Sequence, residues 1–204
     1  MERVCILDYG SGNVKSVFNL ISSIAGEVIV SNEPARIADA THVVLPGVGA
    51  FGAAMRKIRE TLPMEELEQT VRVQGKPFLG ICVGMQVMAS IGREFGEHAG
   101  LGWIDGVVET LDARGLPLPH VGWNNVACAK NSLLFAGLGE QPDFYFVHSY
   151  AFRPQDMRHC IATSHYGVDF CSAVRSENLF GVQFHPEKSQ RAGIQLIKNF
   201  LQVS

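Results

Sequence analysis

A chain of 204 residues with 47% hydrophobic content carries enough apolar surface to close a core, and a single domain over 1–204 with one site is the expectation. Its formal net charge of -3 provides no basic field for a phosphate backbone or an anionic membrane, which argues against nucleic acid as a partner. Five scattered cysteines without a Cys-x-x-Cys pair read as reduced thiols, and neither a secretory signal nor an apolar run of about 18 residues is evident, so a soluble, cytoplasmic protein is expected.

In chain order, the first half alternates short apolar runs with helical periodicity, the pattern of parallel strands joined by crossover helices. A strand is predicted at 4–7, then a helix over 12–25 with Val14, Val17, Phe18 and Ile21 on one face. Strands at 27–31 and 42–45 follow, then helices over 50–60 and 64–74, and a strand at 77–81 that ends at Cys82. A helix containing Met85, Val87 and Met88 comes next. Beyond about residue 100 the runs are shorter and broken by Gly, Pro and Asn, at 107–111, 125–129, 144–150, 161–165, 170–175 and 179–184. A closing helix over 189–201 places Ile194, Ile197 and Leu201 on one stripe. The expected fold is α/β, with a central mostly parallel sheet flanked by helices and antiparallel strands added in the second half.

Three segments carry chemistry. Gly80-Ile81-Cys82-Val83-Gly84 joins a buried strand to a helix through a turn with glycines two positions on either side of a cysteine, the pattern of a nucleophile elbow. A thiolate there would face the free amides of the helix start. A small buried thiol would leave the same trace, and the segment alone does not separate the two. His185-Pro186-Glu187, at the end of another predicted strand, supplies a base and a carboxylate to orient it. Taken alone, the pair reads as a solvated surface pair; a metal site is weaker still, because no second His or Cys stands at ligand spacing, and no cofactor is implied. Pro46-Gly47-Val48-Gly49-Ala50-Phe51-Gly52 contains a formal G-x-G-x-x-G, but it follows the third strand of the chain and not the first. It reads better as a loop whose backbone amides can meet a developing oxyanion.

Together these segments resemble the class I glutamine amidotransferases, in which Gly-x-Cys-x-Gly-x-Gln is followed far downstream by His-Pro-Glu; residues 80–86 and 185–187 match without a gap. Residues 8–13, 121–124, 145–150 and 185–189 are similar to one subfamily, the glutaminase subunits of imidazole glycerol phosphate synthase. The resemblance implies a flavodoxin-like glutamine amidotransferase fold and a glutaminase working through a Cys82 thioester, with His185 and Glu187 completing a triad. It implies oxyanion donors at Val48 and Val83, and glutamine held by Gly49, Gln86, His148 and Ser149. The implied partner is a separate (βα)₈-barrel cyclase that forms a heterodimer through Asn13, Trp123 and Lys188 and uses the ammonia in histidine biosynthesis.

Val83 stands where family members more often carry leucine, and residues 93–103 resemble a branch that also serves surface-sugar synthesis. An ammonia supply for a sugar amidotransferase is therefore the alternative, with a cysteine peptidase of related fold or a dead binding module behind it. His42, His120, His159, His165, Trp103 and the other cysteines are expected to be structural.

Overall fold

The computed structural model describes residues 2–129 and 132–203. Strand β1 (Arg3–Ile6) leads to helix α1 (Val14–Ser22), β2 (Glu27–Val30), α2 (Pro34–Asp39), β3 (His42–Gly47) and α3 (Phe51–Thr61). Then come α4 (Met64–Glu68), which passes into a π-helical turn at Gln69–Val73, β4 (Phe78–Cys82), and the single turn α5 (Val83–Gln86). The second half runs β5 (Ala89–Gly92), β6 (His98–Ala99), β7 (Ile104–Thr110), β8 (His120–Asn125), β9 (Ala127–Cys128), β10 (Asp143–His148) and β11 (Tyr150–Pro154). It closes with β12 (Cys160–Tyr166), β13 (Val168–Ser176), β14 (Leu179–Val182) and α6 (Gln190–Phe200).

The main sheet has the order β2-β1-β3-β4-β14-β13-β12-β9, parallel from β2 through β14 and antiparallel beyond. β3 and β4 are buried along their whole length, as parallel strands covered on both faces must be, and this explains their unbroken apolar runs. A four-stranded sheet, β11-β7-β5-β6, and a two-stranded ribbon, β10-β8, are built from the second half. The fold is the α/β arrangement expected, with the antiparallel additions where the texture of the sequence changes.

Several elements differ from their expected form. α2 was not anticipated, because a six-residue helix starting on proline is too short to show a periodicity. The helix predicted over 64–74 loses α-helical geometry at Gln69. After Cys82 only one turn is helical; Val87 and Met88 lie beyond it and are buried together with Met85, so their apolar character reflects a core passage and not a helix face. The strand predicted at 125–129 is divided between β8 and β9, and that at 144–150 divides at Ser149 between two sheets. In α6, Ile194 is exposed, and Gly193, Leu196, Ile197 and Phe200 form the buried stripe.

Candidate active site

Parallel pairing places the carboxyl ends of three neighbouring strands side by side, the usual position for a site in an open α/β sheet. Gly47 of β3 is in register with Cys82 of β4, and Val182 of β14 with Ile81. The loop after β3, Cys82 at the end of β4 and the His-Pro-Glu segment after β14 therefore converge.

Cys82 has φ 56° and ψ -112°, a backbone geometry that an L-residue holds only under constraint. The constraint is close packing of backbone on backbone. A Cβ on Gly84 would lie 1.8 Å from the Leu45 carbonyl oxygen, and one on Gly80 would lie 2.4 Å from the Gly84 oxygen. The paired glycines of the motif are thus the contact surfaces that let the strand turn. α5 is too short for an appreciable dipole, so what it offers the sulfur is its unpaired first-turn amides.

His185 is buried, with Nδ1 2.8 Å from Glu187 Oε1. Its backbone is fixed as well, since its amide donates to the Tyr145 carbonyl and its own carbonyl accepts from the Ser189 hydroxyl. Nε2 has no hydrogen-bond partner, which leaves it available at the cavity that His185 and Cys82 both line. Burial pulls its pKa down, but the Cys82 sulfur and the Glu187 carboxylate outweigh burial and raise it to about 10.

That cavity, of about 230 Å³, is lined by Val48, Gly49, Cys82, Val83, Gln86, His148, Ser149 and His185, together with Glu94, Pro119, Val147 and Tyr150. Every residue that the sequence suggested for catalysis, the oxyanion or the substrate lines it, except Glu187, which stands behind His185. Gly49 has φ 93° with open space around it, and the Val48 amide has no backbone acceptor. Gln86 donates through Nε2 to the Tyr150 carbonyl and to Gln183 Oε1, both at 3.0 Å, and Gln183 Nε2 stands 3.7 Å from the Cys82 sulfur. His148 is held through Nδ1 by the Tyr150 carbonyl and through Nε2 by His120, and burial lowers its pKa to about 4.

The three residues assigned to a partner face separate. Trp123 and Lys188 are exposed and both adjoin Tyr145, the indole edge-on at 6.2 Å and the ammonium 5.4 Å from the ring centre. Asn13 is buried; it occupies the N-cap position of α1 but caps nothing, and donates instead to Glu187 Oε1 at 3.1 Å.

Sequence reading missed Glu94, Tyr9, Gln183 and the contact between His120 and His148. The Glu94 carboxylate accepts from the Phe51 amide at 2.8 Å at the mouth of α3. The Tyr9 hydroxyl is buried, 2.5 Å from where a Gly47 Cβ would sit; burial and then the nearby Cys82 push its pKa well up, against partial opposition from the Val48 backbone amide. His120 is a structural histidine, as expected, but one stacked between Phe146 and Tyr166 and bonded to a cavity residue. Proximity to the 8–13 and 185–187 motifs was the available signal for Tyr9 and Gln183. Glu94 had none.

A strained cysteine at a strand end, a histidine oriented by a carboxylate and a glycine-bearing loop meet at one cavity, the arrangement expected of a thiol amidohydrolase. Residues 5–203 match the family "Glutamine amidotransferase class-I", and the chain belongs to that family. It is 44% identical to imidazole glycerol phosphate synthase subunit HisH of Rhodospirillum rubrum, over 98% of both chains. It is also 44% identical to the subunit of that name from Zymomonas mobilis, over 98% of this chain and 95% of the relative. The solved structure of PurLQS from Thermotoga maritima shares the fold, with a TM-score of 0.72 at 18% identity, covering 98% of this chain and 98% of that one.

Proposed function

We propose that the chain is the glutaminase subunit of an imidazole glycerol phosphate synthase, releasing ammonia from glutamine for a (βα)₈-barrel cyclase bound in trans during histidine biosynthesis. The observation that carries this reading is the convergence of Cys82 and His185 on one cavity, with Glu187 bonded to the His185 ring behind it, in a chain alike over nearly its full length to subunits of that name.

The Cys82 thiolate attacks the side-chain carbonyl carbon of glutamine, and the oxyanion is met by the amides of Val83 and Val48. His185, oriented through Nδ1 by Glu187, gives its Nε2 proton to the departing ammonia. Water then loses a proton to His185 and attacks the thioester; the carbon–sulfur bond breaks and glutamate leaves. Glutamine also brings an α-ammonium and an α-carboxylate. Glu94 supplies the one carboxylate lining the cavity for the former, while the backbone around Gly49, His148 and Ser149 frames the remainder. Trp123, Lys188 and Tyr145 supply an exposed aromatic and cationic face for the partner.

The test uses the chain with its barrel partner. Cys82→Ala is expected to abolish glutamine-dependent product formation and spare the ammonia-dependent reaction. Glutamate release by the purified variant at the wild-type rate would place the nucleophile elsewhere. Growth of a histidine auxotroph that lacks its own glutaminase subunit tests the client; failure alongside an active barrel would favour the sugar amidotransferase.

A further inference from the structure

The Cys82 sulfur has a neighbour besides His185 that the chemistry above leaves unused. Gln183 is fully buried and directs its side-chain Nε2 at Sγ from 3.7 Å. Which end of a carboxamide meets a given partner is decided by its other hydrogen bonds, and here they leave one choice. A backbone carbonyl oxygen only accepts, so the Gln86 group 3.0 Å from the Tyr150 carbonyl is its nitrogen. That nitrogen also lies 3.0 Å from the Gln183 carboxamide, and the atom it meets there must again be an acceptor, the oxygen. The nitrogen of Gln183 is thereby turned to the sulfur. Gln86 and Gln183 form a one-way series of donors that ends on the Cys82 sulfur, with the Tyr150 carbonyl accepting from the first and fixing its orientation.

We propose that Gln183 is an N–H donor to the Cys82 thiolate, held in that orientation by Gln86. A neutral donor strengthens its bond when the acceptor becomes an anion, so the contact favours the charged sulfur over the thiol. It acts twice in the cycle. It supports the thiolate before attack, and again when water adds to the thioester and the electron pair of the carbon–sulfur bond returns to sulfur. The carboxamide carries no charge and does not titrate, so it does this without competing with His185 for the proton.

The proposal rests on Cys82 being the nucleophile, but not on glutamine being the substrate, and its test needs no substrate. Iodoacetamide alkylation of Cys82, located by peptide mass mapping, is followed against pH in the full chain. Gln183→Met, similar in length and without a donor, is expected to alkylate about tenfold more slowly at neutral pH, with its pH profile moved upward. Gln183→Glu, which sets an acceptor against the sulfur, moves the profile further. A folded variant of either kind with the wild-type rate and profile overturns the proposal. In the wild-type chain, the side-chain amide resonances of ¹⁵N-labelled Gln183 are expected to shift along the same pH profile and to change when Cys82 is alkylated. Resonances indifferent to both overturn it even if neither variant folds. Absence of glutamine turnover by the wild type would count against the proposed function and leave the thiol measurements readable.

Discussion

Asn13 holds Glu187 across 174 residues of sequence, its Nδ2 donating at 3.1 Å to the carboxylate oxygen that also meets the His185 ring. The start of α1 is thereby tied to the orientation of the base. The other carboxylate oxygen is buried without a partner, so Asn13 is one of only two described groups that compensate this carboxylate.

Replacing Asn13 with alanine is expected to lower kcat for glutamine about tenfold with little change in KM, since the base is affected and the substrate cavity is not. Removing a hydrogen bond to a buried carboxylate should also cost about 1–3 kcal/mol of stability. Steady-state kinetics and thermal unfolding of Asn13→Ala measure both. An unchanged kcat would remove Asn13 from the support of the triad.

Gly84→Ala should be far more damaging than an ordinary glycine substitution. Its Cβ would fall 1.8 Å from the Leu45 carbonyl oxygen, which is backbone of the fully buried strand β3. A loss of about 3 kcal/mol or more is expected, with Cys82 losing its geometry. Gly75→Ala is the control. Its φ of 70° makes it strained, but nothing lies within 4 Å, and about 1 kcal/mol is expected. Urea midpoints of the two variants test the contrast, and equal losses would show that the elbow can relax around a methyl group.

Stability should fall on acidification from pH 7 to 5. Burial first, and then the neighbouring His120 and His185, lower the His148 pKa to about 4 from its ordinary 6.5, against partial opposition from the Tyr150 carbonyl. Between those two values the unfolded chain binds the proton and the folded chain does not, so unfolding gains with each step downward. The loss at pH 5 is about 2 kcal/mol from this group. His42 and His120, also lowered mainly by burial, act in the same direction. His185 has the opposite sign: with its pKa raised to about 10, its contribution is present below 6.5 and fades as pH rises toward 10. Urea unfolding of wild type and of His148→Gln at pH 7 and 5 separates the groups, because the variant should lose less. An identical loss would exclude His148 as a cause.

What could be read in advance divides along physical lines. β3 and β4 were legible because strands covered on both faces need continuous apolar residues, and the elbow because its glycines stand at fixed spacing from the cysteine. α2 and the brevity of α5 were not, since four to six residues hold too little periodicity to be distinguished from a buried passage. Cys82 and His185 were legible from their residue type within their motifs, whereas Gly49, Gln86, His148 and Ser149 were indicated only by the family resemblance. The contacts of Gln86 with Gln183, of His120 with His148 and of Asn13 with Glu187 were invisible, because each depends on strands or loops that meet only through tertiary packing.

The position of β14 also has a consequence in time. Chains are made from the amino terminus, so the strand bearing Cys82 is complete well before the segment bearing its base has been synthesised. In the finished sheet β14 lies between β4 and β13, so the late strand is the one that joins the parallel part of the sheet to its antiparallel part. Its pairing with β4 brings the His185 and Glu187 segment to the end of the strand that bears the sulfur. A nascent or prematurely ended chain carries the thiol without His185 and Glu187, so on the proposed mechanism the ability to hydrolyse an amide arrives together with the β4–β14 pairing.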